Sequence, residues 1–372
     1  MGALTRLRLT DFRNYVALNL HLSGRHVCLY GSNGSGKTNL LEAVSQLGPG
    51  RGLRSAPLSD LTRTGAPAGW TLSGEIDDRR IGVGLDTSGN TAKRVVRIDG
   101  ENASPGDLAE LVRIVWLTPA MDGVFRGGAG DRRRFYDRQV MAHMPAHGSA
   151  AARYEKAMRE RNALLERAYV DPAWADALEA RLAEAGAELA MGRALVLSRL
   201  QAAVDNRPEG AFPKADLALN GDAEAMALEG AGPAEIEAHL RDLWSSMRHA
   251  DRKAGRTLKG PHRSDLAVMH RPTAMPARDA STGQQKALLI GLILASAHAL
   301  DAGGTGPAPF LLLDEAAAHL DADRRAALFD ELSELQGQAW LTGTEAFLFD
   351  AFGERAERFD VSDGAVTPAS SD

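Results

Sequence analysis

Apolar positions recur early along the chain. Leu4, Leu7 and Leu9 lead into Asp11-Phe12-Arg13-Asn14-Tyr15, and residues 16–22 and 25–30 predict two further strands. A glycine-rich turn at 31–38 and a helix at 39–47 follow. Between 70 and 98, short alternating runs at 72–76, 81–85 and 94–98 predict an antiparallel meander. Ile114-Val115-Trp116-Leu117 predicts a short buried strand. From about 131 to 204 the period becomes helical, and the stretches 151–169 and 174–204, broken at Asp171-Pro172, predict two long antiparallel helices. They are too short for an extended coiled coil.

Residues 209–233 are rich in Gly, Pro and Ala and predict loops around one strand at 215–219. An amphipathic helix is expected at 236–250. Residues 281–300 are apolar nearly all round, which predicts a buried helix. A buried strand at 310–313, a helix at 324–335, a strand at 339–341 and a frayed tail at 365–372 complete the expected order.

Composition narrows the class. A chain of 372 residues with 44% hydrophobic content can bury two lobes. Its net charge of −6 supplies no overall basic footprint, so a nucleic-acid partner would have to meet local patches. Cys28 is the single cysteine, which excludes an intramolecular disulfide. Its apolar neighbours Val27, Leu29 and Tyr30 predict a buried strand position. The longest apolar run, 287–295, is too short to span a bilayer, and the first residues carry no secretory h-region. A cytoplasmic location is expected.

Gly31-Ser32-Asn33-Gly34-Ser35-Gly36-Lys37-Thr38 fits the pattern G-x-x-x-x-G-K-[ST], between an apolar strand and a helix. Glycines let successive N–H groups face phosphates, and the helix that follows aims its positive end at them. Lys37 adds a charge on the outer phosphates, and the Thr38 hydroxyl is a ligand for Mg²⁺. A second strand, Phe310-Leu311-Leu312-Leu313, ends in Asp314-Glu315. Beside a phosphate loop, Asp314 would hold Mg²⁺ through water, and Glu315 would act as general base on the attacking water. Alone, the pair would be an ordinary solvated turn.

Ser281-Thr282-Gly283-Gln284-Gln285-Lys286 opens the apolar helix. A small hydroxyl residue and a glycine at a helix start make a second anion site, or else a plain N-cap. The phosphate loop already serves one side of a nucleotide. Ser281, Gly283 and Gln284 would therefore meet the γ-phosphate held by a partner subunit.

These motifs resemble the ABC ATPases, whose signature is of the S-G-G-Q type. The spacing narrows the resemblance: 244 positions separate Lys37 from Ser281, and 33 separate Ser281 from Asp314. A transporter ATPase has a shorter first interval, and an SMC protein a far longer one filled with coiled coil. The chain resembles the RecF family, in the S-T-G-Q-Q-K form of the signature and in further segments. Leu7-Arg8-Leu9-Thr10-Asp11-Phe12-Arg13-Asn14-Tyr15 is similar to that family's opening strand, where Arg13 and Asn14 would lie near the nucleotide. Gly50 to Ser55, Asp131 to Asp137 and Thr257 to Asp265 resemble its G-R-S-x-R-T, R-R-x-x-L-D and L-x-G-P-H-R-x-D stretches. The segment from Glu315 to Asp321 resembles the D-loop.

Two segments depart from the pattern. Ala120, in Leu117-Thr118-Pro119-Ala120-Met121-Asp122, stands where the family tends to have Glu, so a Mg²⁺-sensing role for that loop does not carry over. No histidine occupies the switch position near Thr342-Gly343-Thr344, where Thr342 is the candidate contact to the γ-phosphate.

The resemblance implies an α/β fold: an ABC/SMC-type P-loop ATPase head of mixed sheet with helices, plus a mainly helical second lobe. Residues 1–130 and 251–372 would form the head, and 131–250 the second lobe. It implies ATP and Mg²⁺, slow hydrolysis used as a switch, an ATP-dependent homodimer, and binding of double-stranded or gapped DNA. RecO, RecR and RecA are the implied partners, in loading RecA at gapped DNA during repair, replication restart and the response to DNA damage. The rival readings are an ATPase subunit of a transporter, an SMC-like tether and a small-molecule kinase.

Three basic groups are candidates for DNA phosphates: Arg51, Arg54 and Arg63; Arg126, Arg132, Arg133, Arg134 and Arg138; and Arg248, Arg252, Lys253, Arg256, Lys259 and Arg263. The first and third are the better candidates, because acids interleave the second. Aromatics are only 5% of the chain, which favours duplex backbone contact over base stacking. His143, His147, His262 and His319 lack metal-ligand spacing.

Overall fold

A computed structural model describes residues 2–87, 92–303, 306–318 and 320–369. The chain begins with β1 (Leu4–Phe12), β2 (Tyr15–His21) and β3 (His26–Tyr30), then α1 (Lys37–Ser45). The expected meander is β4 (Thr71–Ile76), β5 (Arg79–Asp86) and β6 (Lys93–Ile98), extended by β7 (Glu101–Ala103). A short α2 (Leu108–Leu111) leads into β8 (Arg113–Leu117).

The helical region is α3 (Ala129–His143), α4 (Ala146–Leu165) and α5 (Pro172–Asn206). It is followed by β9 (Ala215–Asn220), α6 (Asp222–Leu228) and α7 (Pro233–Ala254), then β10 (Asp265–His270) and β11 (Met275–Pro276). The chain ends with α8 (Thr282–Ala302), β12 (Pro309–Leu313), α9 (Ala322–Glu334), β13 (Ala339–Gly343), β14 (Ala356–Ser362) and β15 (Ala365–Pro368).

The described residues fall into two compact units. Unit 1 takes them from 1–121, 209–212 and 289–372; unit 2 takes 122–208 and 213–288. Unit 1 holds two six-stranded sheets. One is antiparallel, in the order β2-β1-β4-β5-β6-β7. The other runs β15-β14-β3-β13-β12-β8, with β14, β3, β13, β12 and β8 parallel. The inner strands of the parallel sheet are mostly apolar, as burial on both faces demands, with His26 in β3 and Thr342 in β13 as the buried polar exceptions. Leu40, Leu41 and Val44 of α1 join one core cluster with Leu7 and Leu9 of β1, Leu72 of β4 and Leu312 of β12.

Unit 2 is built on α5, 35 residues long, which packs against α4 and α7. Its start follows the sequence: the Asp171 carboxylate accepts from the Ala173 N–H at 2.9 Å, and Pro172 occupies the first helical position. Small residues line its buried face, and a Cβ on Gly186 would stand 2.9 Å from Leu240. Tyr154, Leu182, Leu189, Ile236, Leu240 and Trp244 fill this core. A three-stranded sheet, β11-β10-β9, completes the unit.

Three expectations change. The division at residue 251 does not match the compact units, because 251–288 is built into unit 2 through the pairing of β10 with β9 and the contacts of 257–265 described below. The expected tail begins as a strand: β15 pairs with β14 across Asp363-Gly364, both at positive φ (47° and 78°), which suits a two-residue hairpin. Ser370 to Asp372 lie outside the described residues. Helix α6 and strand β10 were not expected. The apolar helix at 281–300 is α8, long and apolar enough to cross a membrane by length and composition, but 78% buried over its most apolar stretch.

Candidate nucleotide site

Strand β3 ends at Tyr30, and the turn 31–36 delivers the chain into α1. Gly31 (φ 147°) and Gly36 (φ 113°) hold conformations closed to other residues. A Cβ at Gly31 would stand 2.3 Å from the Val361 carbonyl oxygen, and one at Gly36 2.5 Å from the Asn14 side chain. The first turn of α1 has neither an acidic residue nor a side-chain cap, so its N–H groups remain open to an anion. The Lys37 ammonium donates to the carbonyls of Gly31 (2.7 Å) and Ser32 (2.8 Å), which curls the turn. Burial lowers the Lys37 pKa, while the Glu315 and Asp314 carboxylates act to raise it. Among the described residues, the buried Ser35 hydroxyl has no hydrogen-bond partner.

Strand β13 lies between β3 and β12, so the turn and the Asp314-Glu315 pair emerge from the same end of the parallel sheet. Two hydroxyls meet on Asp314. Thr38 donates at 2.9 Å, and Thr342 of β13 donates at 2.7 Å. Thr342 Oγ1 also accepts from the Glu315 N–H at 2.9 Å. A hydroxyl has one proton, and that of Thr342 is committed to Asp314. It is therefore not free to donate to a phosphate, contrary to the reading of Thr342 as a γ-phosphate contact.

The expected Arg13–Asn14 pair divides. Asn14 Nδ2 donates to the Ser35 carbonyl at 3.3 Å, and Tyr15 donates from its hydroxyl to the Gly36 carbonyl at 3.1 Å. Burial raises the Tyr15 pKa, so the hydroxyl keeps its proton. Arg13 instead turns to Glu42 on α1, with two hydrogen bonds of 2.8 Å. Arg54 adds a third to the same carboxylate at 3.0 Å and a fourth to Asn39 at 2.8 Å. Asn39 in turn donates to Asn14 at 2.8 Å. Sequence reasoning missed Glu42. The available signal was an acid inside Leu40-Leu41-Glu42-Ala43-Val44, since an acid on an apolar helix face must find a cation.

The arrangement suits a polyphosphate: an uncapped helix start, an unpartnered buried hydroxyl and an ammonium. No group of three His, Cys, Asp or Glu that could hold a metal occurs among the described residues. Thr38 and Asp314 offer a hard cation two oxygen donors, and phosphate oxygens and water would complete its shell, as suits Mg²⁺.

In unit 2, the Ser281 N–H donates to Gln284 Oε1 at 2.9 Å, and the Gln284 N–H donates to Ser281 Oγ at 3.3 Å. This is a reciprocal cap on α8. Ser281, Thr282 and Gly283 are exposed, and Lys286 faces Asp122 at 3.5 Å. In the 257–265 segment, His262 bonds Tyr154 (2.8 Å) and the Thr257 carbonyl (3.0 Å), Arg193 donates to the Pro261 carbonyl (2.7 Å), and Arg132 pairs with Asp265 (2.7 Å). That stretch is a structural hub. His147 bonds Asp137, and His319 lies outside the described residues.

Much of the basic character is spent internally. Arg63 pairs with Asp11, Arg134 with Asp131, and Arg248 with Asp176 and Glu179. Lys253, Arg256, Lys259 and Arg263 have no ion-pair partner among the described residues.

Residues 3–350 match the RecF/RecN/SMC N terminal domain family. The chain is 48% identical over 370 residues to the DNA replication and repair protein RecF of Rhizobium etli (strain CIAT 652), covering 98% of each chain. It is 50% identical over 372 residues to the DNA replication and repair protein RecF of Brucella suis biovar 1 (strain 1330), covering 98% of this chain and 96% of that one. Among solved structures, the recombination mediator protein RecF with ATP, in the RecFOR pathway, aligns with a TM-score of 0.83 at 24% identity, over 99% of this chain and 98% of that one.

Proposed function

This chain belongs to the RecF family within the RecF/RecN/SMC N-terminal domain proteins, and on that premise we propose that it is an ATP-dependent DNA-binding protein of recombinational repair. Two copies sandwich two ATP molecules head to tail. Lys37, Thr38 and Asp314 of one protomer hold each triphosphate, and Ser281, Gly283 and Gln284 of the other close on its γ-phosphate. The observation that carries this reading is the contact of Thr38 with Asp314 at 2.9 Å across 276 positions of sequence. The proton that Thr38 donates there leaves its lone pairs for a cation. Bound Mg²⁺ would supply charge neutralisation on the phosphate oxygens. Glu315 takes the proton of the attacking water.

The closed dimer grips duplex DNA at gaps, with Lys253, Arg256, Lys259 and Arg263 as the available cations. Hydrolysis, slow and used as a switch, reopens it. RecO and RecR are its partners in loading RecA, in the cytoplasm, as the family resemblance implies. The test is the mass of the Glu315→Gln variant with ATP and Mg²⁺. A dimer is expected, and a persistent monomer overturns the sandwich. DNA binding across a salt series, for the wild type and Lys37→Met, tests the second half. Loss of the ATP-dependent component in the variant is expected.

A further inference from the structure

Three residues meet where β12 and β13 end, and one of them has no part in the function proposed above. Thr342 is fully buried and lies one position past Leu341, which is in register with Leu313. Its hydroxyl donates to Asp314 at 2.7 Å and accepts from the Glu315 N–H at 2.9 Å. Glu315 has φ of 52°, a left-handed conformation that a non-glycine residue holds only when its surroundings compensate. Two hydrogen bonds hold it there, from its own N–H to Thr342 and from the Ala318 N–H to its carbonyl at 3.3 Å, and the first is the one supplied from another strand. The same oxygen also sets the Asp314 carboxylate, which Thr38 approaches from the α1 side.

We infer that Thr342 is the positioning residue for the general base: its hydroxyl fixes the strained turn that aims Glu315 and orients Asp314, in place of contacting the phosphate. This rests on the proposed ATP hydrolysis and deepens it. A group that acts through Glu315 affects the chemical step and leaves nucleotide affinity alone. A phosphate contact affects affinity.

The experiment compares Thr342→Val, which keeps the shape and removes the hydroxyl, with Thr342→Ser, which keeps the hydroxyl and removes the methyl. Two readouts are taken on the full chain: steady-state ATP hydrolysis, and amide hydrogen exchange at residue 315 in the nucleotide-free protein. Thr342→Val is expected to lower kcat about ten- to hundredfold with KM for ATP within about twofold, because small misplacements of a catalytic group act on the transition state. It should also speed exchange of the Glu315 amide about tenfold or more as the N–H loses its acceptor. Thr342→Ser should restore both.

In a Glu315→Gln background, Thr342→Val should add no further loss of turnover. A raised KM at unchanged kcat, a serine variant as impaired as the valine one, or additive losses in the double variant each overturn the inference. Should Thr342→Val not fold, a folded Thr342→Ser with wild-type kcat and exchange supports it, and one with reduced kcat overturns it. Absence of hydrolysis in the wild type would instead sink the ATPase reading itself, and an unchanged Glu315 exchange rate sinks only the role of Thr342.

Discussion

Two buried polar clusters, Arg161 in unit 2 and Asp314 in unit 1, are satisfied in opposite ways. In unit 2, Arg161 has no exposed side-chain surface, and all three of its guanidinium nitrogens donate: to Glu179 at 3.0 Å, Asp251 at 2.7 Å, Thr257 at 3.1 Å and the Trp244 carbonyl at 2.8 Å. Arg193 is engaged by Asp137, Glu224 and the Pro261 carbonyl, though Glu224 Oε2 has no partner among the described residues. In unit 1, Asp314 is only 7% exposed, yet among the described residues it receives two hydroxyls and no cation within ion-pair distance, while the Ser35 hydroxyl of the turn has no partner there. A saturated network ties helices together and has nothing left to offer a ligand. An unsaturated one is costly in isolation and gains from what binds.

That contrast can be broken by mutation. Arg161→Met leaves Asp251 buried without its cation and should cost about 3–5 kcal/mol of stability in urea unfolding. Asp314→Asn should cost less than about 1 kcal/mol and still abolish ATP turnover. Equal destabilisation by the two would erase the distinction.

Acid should then separate the units. The folded-state pKa of His26 is lowered to about 4 by burial, aided by Arg355, and its ring accepts from the Ala339 N–H at 3.0 Å. The unfolded chain takes up this proton first. Stability in unit 1 therefore falls by up to about 3 kcal/mol as pH drops from about 6.5 to about 4. In unit 2, His147 and Arg193 hold Asp137 down at about 2 against the burial that would raise it. Its contribution persists above the ordinary carboxylate range and is lost only as pH falls towards about 2. Hydrogen exchange at pH 5 should show unit 1 loosening first, and His26→Gln should remove the difference.

Smaller effects sharpen the picture. Lys37→Met should weaken ATP binding about a hundredfold by equilibrium titration, with stability within about 1 kcal/mol of wild type. Glu188→Ala, which breaks an exposed pair with Arg153, should change stability by less than about 1 kcal/mol in the same unfolding assay.

Much of unit 1 was legible residue by residue. The Gly31–Thr38 turn and the apolar strands at 26–30 and 310–313 each carry local signals, as does the break at Asp171-Pro172 in unit 2. β10 was passed over. Its pattern alternates, but it is six residues long, and its partner β9 lies 45 or more positions earlier. The ion pair of Arg13 escaped the sequence for a similar reason. Its partner Glu42 is 29 positions away, and only the packed α1 brings them together.

The sequence alone determined which residues are able to grip a phosphate: glycines for positive φ, an ammonium, a hydroxyl, and two acids after an apolar strand. Those are properties of single residues and their immediate neighbours. The tertiary structure decided how each polar atom is used. Asp314 meets Thr38 and Thr342, Arg13 and Arg54 meet on Glu42, and the stretch 251–288 joins the helices before it. Buried charges and hydroxyls must find partners wherever the packed chain supplies them, and distance along the sequence places no limit on that choice.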